Sequence, residues 1–191
     1  MSTRSRSVRR LATALAGGAV LGATALAAPA SATPTCVTDW GSLPEAGGAL
    51  AGPGGGTVDE IRTGRHDCFD RLVVDIDGGY GDDIGYRVGY VSQFVTDGRG
   101  DVVTLRGAAD LQIVVLNPAY ADSTATYAPV HPVEAENVAG YGTFRQVAWG
   151  GSFEGQSAIG LGVRARLPFR VMVLDGPGDD ARLVIDVAHS W

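Results

Sequence analysis

The chain has 191 residues, with 15 arginines, no lysine and 21 acidic residues, for a formal charge of −6 at pH 7. Four of the arginines sit in the first ten residues, so the remainder carries 11 basic groups against 21 acids, a charge of −10. That balance argues against nucleic acid and against anionic membrane surfaces as partners.

Residues 1–32 read as a secretory signal peptide. Arg4, Arg6, Arg9 and Arg10 precede an apolar run from Leu11 to about Ala28, and the small-residue site Ala30-Ser31-Ala32 places cleavage after Ala32. The run is rich in Ala and Gly and stops at Pro29, which argues against a transmembrane anchor in the mature chain. No lipobox precedes Cys36, and the Arg9-Arg10 pair leaves the twin-arginine route open beside Sec export. The expected location is therefore secreted. The 159 residues left after removing these 32 fit one ordinary domain.

Cys36 and Cys68 are the two cysteines, and an even count in an exported chain predicts one disulfide. Residues 33–56 form a Gly/Pro-rich N-terminal segment that this bridge would pin; "GGALAGPGGGT" (47–57) is too rich in Gly to predict a helix or strand. From 57 to 191 the chain reads as strands and turns with no sustained helical period. The predicted strands are 57–62, 70–76, 85–95, 101–106, 110–116, 133–139, 143–149, 156–163, 167–174 and 181–188. The fold class is all-β, a sandwich of mostly antiparallel strands with possible internal pseudo-symmetry. Asn117 to Pro132 is the longest irregular stretch and reads as a functional or mobile loop.

One strand is written twice, as "RLVVDI" (71–76) and "RLVIDV" (182–187). Alternation puts Leu72, Val74 and Ile76 on one face and Arg71, Val73 and Asp75 on the other. The second copy sets Leu183, Ile185 and Val187 against Arg182, Val184 and Asp186. Two geometries are open. As antiparallel neighbours the copies would place Arg71 opposite Asp186 and Asp75 opposite Arg182, a register device. As equivalent strands of two similar sheets, each would present an Arg/Asp patch to a ligand.

"WGSL" (40–43), "IRTGRHDCFDRLVVDI" (61–76), "YRVGYV" (86–91), "GSFEGQ" (151–156), "LPFRVMVL" (167–174) and "RLVIDVAHSW" (182–191) together resemble the AMIN-like domain family of secreted actinobacterial proteins. The resemblance implies a β-sandwich related to AMIN domains, non-catalytic modules of cell-envelope proteins that target peptidoglycan or another envelope component. It favours the second geometry, with the two strands on two similar sheets.

The candidate ligand-binding residues are accordingly Arg71, Asp75, Arg182 and Asp186. Arg62, Arg65 and His66 join them from the dense stretch "RTGRHDCFDR", which reads either as a guanidinium site for an acidic or sugar ligand or as an ion-paired clamp around the disulfide. Tyr86 and Tyr90 share a strand face and could stack on sugar rings, although such residues are more often core. "DIDGGYGDD" (75–83) gathers Asp75, Asp77, Asp82 and Asp83 but misses the EF-hand pattern, so no metal is expected. Ser152 lacks the closing glycine of a nucleophile elbow, and no HExxH is present. No cofactor and no catalytic residue is expected. The sequence thus predicts a secreted, non-catalytic module whose partner is a cell-wall glycan, peptidoglycan first, with an envelope protein bound through loop 117–132 as the alternative and a wall hydrolase as the weaker one.

Overall fold

Alternation of apolar and polar residues along the longest strands builds two antiparallel sheets that face each other across one core. The computed structural model describes residues 36, 38–52, 54–79 and 84–191. The signal-peptide reading, Asp82 and Asp83 lie outside the described residues.

The first sheet contains β1 (Glu45–Gly47), β4 (Tyr86–Val91), β7 (Ala109–Val115), β11 (Gln156–Val163) and β10 (Phe144–Phe153), in the spatial order β1-β4-β7-β11-β10. The second has the order β12-β13-β3-β2, from β12 (Phe169–Asp175), β13 (Ala181–Ala188), β3 (Phe69–Asp77) and β2 (Thr57–Arg65). Two ribbons complete the fold: β5 (Phe94–Val95) with β6 (Val102–Val103), and β8 (Tyr120–Ala121) with β9 (Thr124–Ala125). The all-β expectation holds.

Leu72, Val74, Ile76, Leu183, Ile185 and Val187 are all fully buried, as alternation requires. They meet Leu111, Ile113, Ile159 and Leu161 from the facing sheet. The outer face of the first sheet is partly covered too. Gly150 and Gly160 leave a lane on β10 and β11 into which Phe94 drops; a Cβ on Gly160 would stand 2.4 Å from the Phe94 ring. Phe94 is consequently buried with Leu105, Ala148 and Ala158 in a small second cluster.

Several predicted elements change. The span 85–95 breaks at Ser92-Gln93 into β4 and β5, because the chain must leave the sheet for Phe94 to fold back over it. The strand expected over 101–106 contracts to Val102–Val103. The strand expected over 133–139 is instead a 3-10 turn at Pro132–Glu134 followed by irregular chain. Pro132 occupies the start of that turn with its ring-fixed φ, and the segment pairs with β10 at a single isolated bridge, Glu136 to Val147, with the Val133 carbonyl also accepting from Gln146 Nε2. The loop 117–132 holds the β8–β9 hairpin, turned by Asp122 and Ser123 at positive φ.

The N-terminal segment is more ordered than its composition predicts. Cys36 and Cys68 are bonded, at an S–S distance of 2.07 Å. Beyond the bridge, the Gly41 carbonyl accepts from Phe169 N and a Glu45 carboxylate oxygen from Val171 N, so the segment covers the open edge of β12. β1 then pairs with β4 at the edge of the other sheet. One short stretch therefore blunts two sheet edges that would otherwise invite pairing with another chain.

Candidate ligand-binding face

β3 and β13 are neighbours, and their register pairs Arg71 with Asp186, Val73 with Val184 and Asp75 with Arg182. This overturns the expectation that the two copies occupy two separate sheets. The cause is topological: both copies belong to the four-stranded sheet, whose centre they form.

The outer face of this sheet is a lattice of rows. One row runs Arg170–Asp186–Arg71 across β12, β13 and β3, and two residues along each strand the next runs Met172–Val184–Val73–Arg62. Asp186 has no solvent exposure. Its carboxylate accepts from Arg71 Nε at 2.6 Å and Nη2 at 2.9 Å, and from Arg170 Nε at 2.9 Å. One buried carboxylate thus holds two guanidiniums that keep partial access to solvent. That hydrogen bonding also raises the pKa of the Arg71 guanidinium above its ordinary value.

The second predicted pair does not form. Asp75 accepts from Arg62, at 2.5 Å from Nε and 2.6 Å from Nη2. A register shift in β2 sets Glu60 opposite Asp75, and Arg62 lies between these like charges, 3.7 Å from Glu60. Arg182 turns instead to the Asp175 carbonyl, and its buried Nε has no partner.

Aromatic rings extend the Arg170–Asp186–Arg71 row toward the disulfide. The Arg170 guanidinium lies 4.2 Å from the centroid of Trp40, and Arg71 5.2 Å from that of Phe69. Trp40 meets Phe69 edge-on at 5.8 Å, and His66 stacks on Phe69 at 4.4 Å. Planar guanidiniums on aromatic faces, anchored on Asp186 by one edge and still partly open to solvent, form a surface suited to sugar rings carrying acidic groups. Arg170 and Trp40 escaped the sequence reading. Counting back from the turn "DGPGDD" would have set Arg170 opposite Asp186, whereas nothing local marks Trp40, which the bridge carries into place.

The other predicted residues fall elsewhere. Arg65 is exposed at the end of β2, near His66 but outside the ion-paired row. Tyr86 and Tyr90 pack toward the core beside Val88, and the Tyr90 hydroxyl donates to the Leu167 carbonyl at 2.8 Å while accepting from Leu167 N. They are not on the arginine face. Ser152 donates to the Gln156 carbonyl and accepts from Ala119 N, which makes it a hairpin brace. Among the described residues no group of three or more His, Cys, Asp or Glu side chains could hold a metal ion.

One carboxylate was not anticipated in its role. Asp70 points inward, fully buried, and accepts from the backbone N–H groups of Thr143 and Phe144 at the start of β10. His189 Nε2 lies 3.1 Å from its other oxygen. Asp70 therefore ties the two sheets together at one end.

These features define an all-β, two-sheet module with a guanidinium and aromatic surface on one sheet. Residues 56–189 match the family model described as the AMIN-like domain. The chain belongs to the AMIN-like domain family, which points to a cell-envelope-associated binding module. A search of curated proteins finds no match. The family match begins after β1, so Trp40, Cys36 and the edge-covering segment lie outside it.

Proposed function

We propose that this protein is an exported, non-catalytic module that binds a cell-wall glycan, peptidoglycan first, through the outer face of the four-stranded sheet at the Arg71–Asp186–Arg170 row. The observation that carries this reading is the pair of guanidiniums held by one buried carboxylate and backed by Trp40 and Phe69. Guanidiniums already fixed by Asp186 lose little side-chain entropy when their remaining N–H groups meet a ligand oxygen, and the ring faces offer apolar contact to a sugar. Export rests on the N-terminal leader and is supported by the disulfide; among the described residues no helix is long and apolar enough to cross a membrane.

Docking onto an envelope protein is the second reading, favoured by the exposure of Val130 and Val133 beside the β8–β9 hairpin. Sedimentation of the mature protein with purified sacculi separates the two. Wild type should co-sediment and Arg170→Ala should be depleted from the pellet. Failure to co-sediment, with capture of a defined envelope protein that Val130→Asp abolishes, would replace the first reading by the second.

A further inference from the structure

The charge of −10 that follows the leader conceals its distribution. Among the described residues, five of the arginines after the leader form ion pairs with Asp or Glu and six do not. Of those six, Arg65, Arg145, Arg164 and Arg166 lie at the end of the sandwich where β3 and β10 begin and β2, β11 and β13 finish. The turns at the opposite end carry Asp122, Glu154, Asp175, Asp179 and Asp180.

Three of these guanidiniums gather on a single turn, residues 140–143. The Arg65 Nη1 atom lies 3.9 Å from where a Cβ on Gly140 would stand, and its guanidinium makes no ion pair among the described residues. Arg145 folds beneath the turn and donates to the carbonyls of Tyr141, Gly142 and Phe144. Arg164 donates its backbone N–H to the Thr143 carbonyl and its guanidinium to the carbonyl of His189, whose ring packs against Gly142 so closely that a Cβ there would clash at 2.5 Å. The nearby acids do little to neutralise this cluster. Asp70 is buried and committed to the backbone of Thr143 and Phe144, and Glu134 is paired with Arg106, which leaves Asp67 as the exposed carboxylate of the adjoining β2–β3 turn.

We propose that this turn is a second binding site, distinct from the arginine and aromatic face, and that it takes a thin, flexible polymer linked through phosphodiesters. Arg65 and Arg164 do not line the cavity of about 480 Å³ that Arg145 borders with Arg106, Gly140 and Tyr141, so the three guanidiniums do not converge on one point and suit charges spaced along a chain better than a single small anion. A phosphodiester accepts a guanidinium fork and keeps its charge throughout the pH range in which the protein is folded. The acidic end does not forbid such a ligand. Nine-residue strands separate the two ends by about 30 Å, several times the screening length of about 8 Å at physiological salt. A wide, rigid polyanion would bring its charge alongside the acidic turns, whereas a thin chain meets only the basic end.

Poly(glycerol phosphate), a thin polymer joined through phosphodiesters, labelled with a fluorophore, tests this by anisotropy with the mature protein across a salt series. Binding is expected at low salt. The double variant Arg65→Ala/Arg164→Ala should weaken it roughly tenfold or more and lower the slope of log affinity against log salt by about two. Arg99→Ala, on a side chain that is 83% exposed at the opposite end, should leave binding unchanged. Thermal melts of each variant show that it is folded. Absence of binding at low salt, an equal loss in Arg99→Ala, or equally tight binding of duplex DNA, polyglutamate or anionic vesicles would overturn the proposal. The glycan reading is independent of it, because sacculi stripped of phosphate polymers should still retain the wild type and this double variant alike.

Discussion

Replacing Asp186 by Asn keeps the shape of a fully buried side chain and removes its charge, leaving Arg71 and Arg170 facing each other without the carboxylate that separates them. Breaking a buried pair from one side typically costs about 3–5 kcal/mol. The two guanidiniums here are 28% and 38% exposed and can turn toward water, so the expected loss is smaller, about 2–3 kcal/mol. For a domain of this size that corresponds to a drop in Tm of about 5–10 °C. Asp75→Asn is the matched comparison, because Asp75 accepts from Arg62 at similar distances but Arg62 is 46% exposed. Its expected cost is about 0.5–1 kcal/mol. Urea unfolding of both variants at pH 7 measures the contrast directly. Equal losses would refute the reasoning that burial, and not distance, sets the value of these pairs.

Reducing the Cys36–Cys68 bridge, or replacing both cysteines by Ser, releases a loop of sequence separation 32 and should cost about 3 kcal/mol, read as a lower urea midpoint. Phe94→Ala should cost about 3 kcal/mol by emptying the glycine lane, with hydrogen exchange accelerating in β5 and β6. Asp59 has its pKa raised by burial and then by the charges of Asp75 and Asp77. A raised carboxyl pKa disfavours the fold above the folded-state value and relieves it as pH falls. Asp59→Asn should therefore stabilise by a few tenths of a kcal/mol at pH 7, with the gain shrinking on acidification. A gain that grows toward low pH would contradict this sign.

The rows Leu72–Val74–Ile76 and Leu183–Ile185–Val187 were legible because period-two alternation alone assigns their face. Their pairing was one of two open geometries: opposite charges suggested the register that sets Arg71 opposite Asp186, provided the strands are neighbours. The resemblance to a family of two similar sheets pointed the other way, and nothing local decides which long-range neighbour a strand takes. β1 was hidden because Gly and Pro suppress any strand signal, while its stability comes from β4 and from the disulfide. The 133–139 segment alternates like a strand and lies against the edge strand β10, but a 3-10 turn starts at Pro132 and pairing stops at the single bridge from Glu136 to Val147. Phe94 and its glycine lane meet only in three dimensions. The binding face was half legible: Arg71 and Asp186 were named, whereas Trp40 and Arg170 depend on the bridge and on β12.

The central claim is that a wall glycan meets the protein at Trp40 and the Arg170–Asp186–Arg71 row. Titrating a soluble muropeptide into ¹⁵N-labelled mature protein, and following the indole and arginine Nε–H resonances, tests it directly. The account predicts saturable shifts at the Trp40 indole and at Arg170 and Arg71, with the Trp149 indole, packed against Tyr127 on the far side of the core, unmoved. Shifts centred on Trp149 or on the β8–β9 hairpin, or no shifts at all, would contradict it.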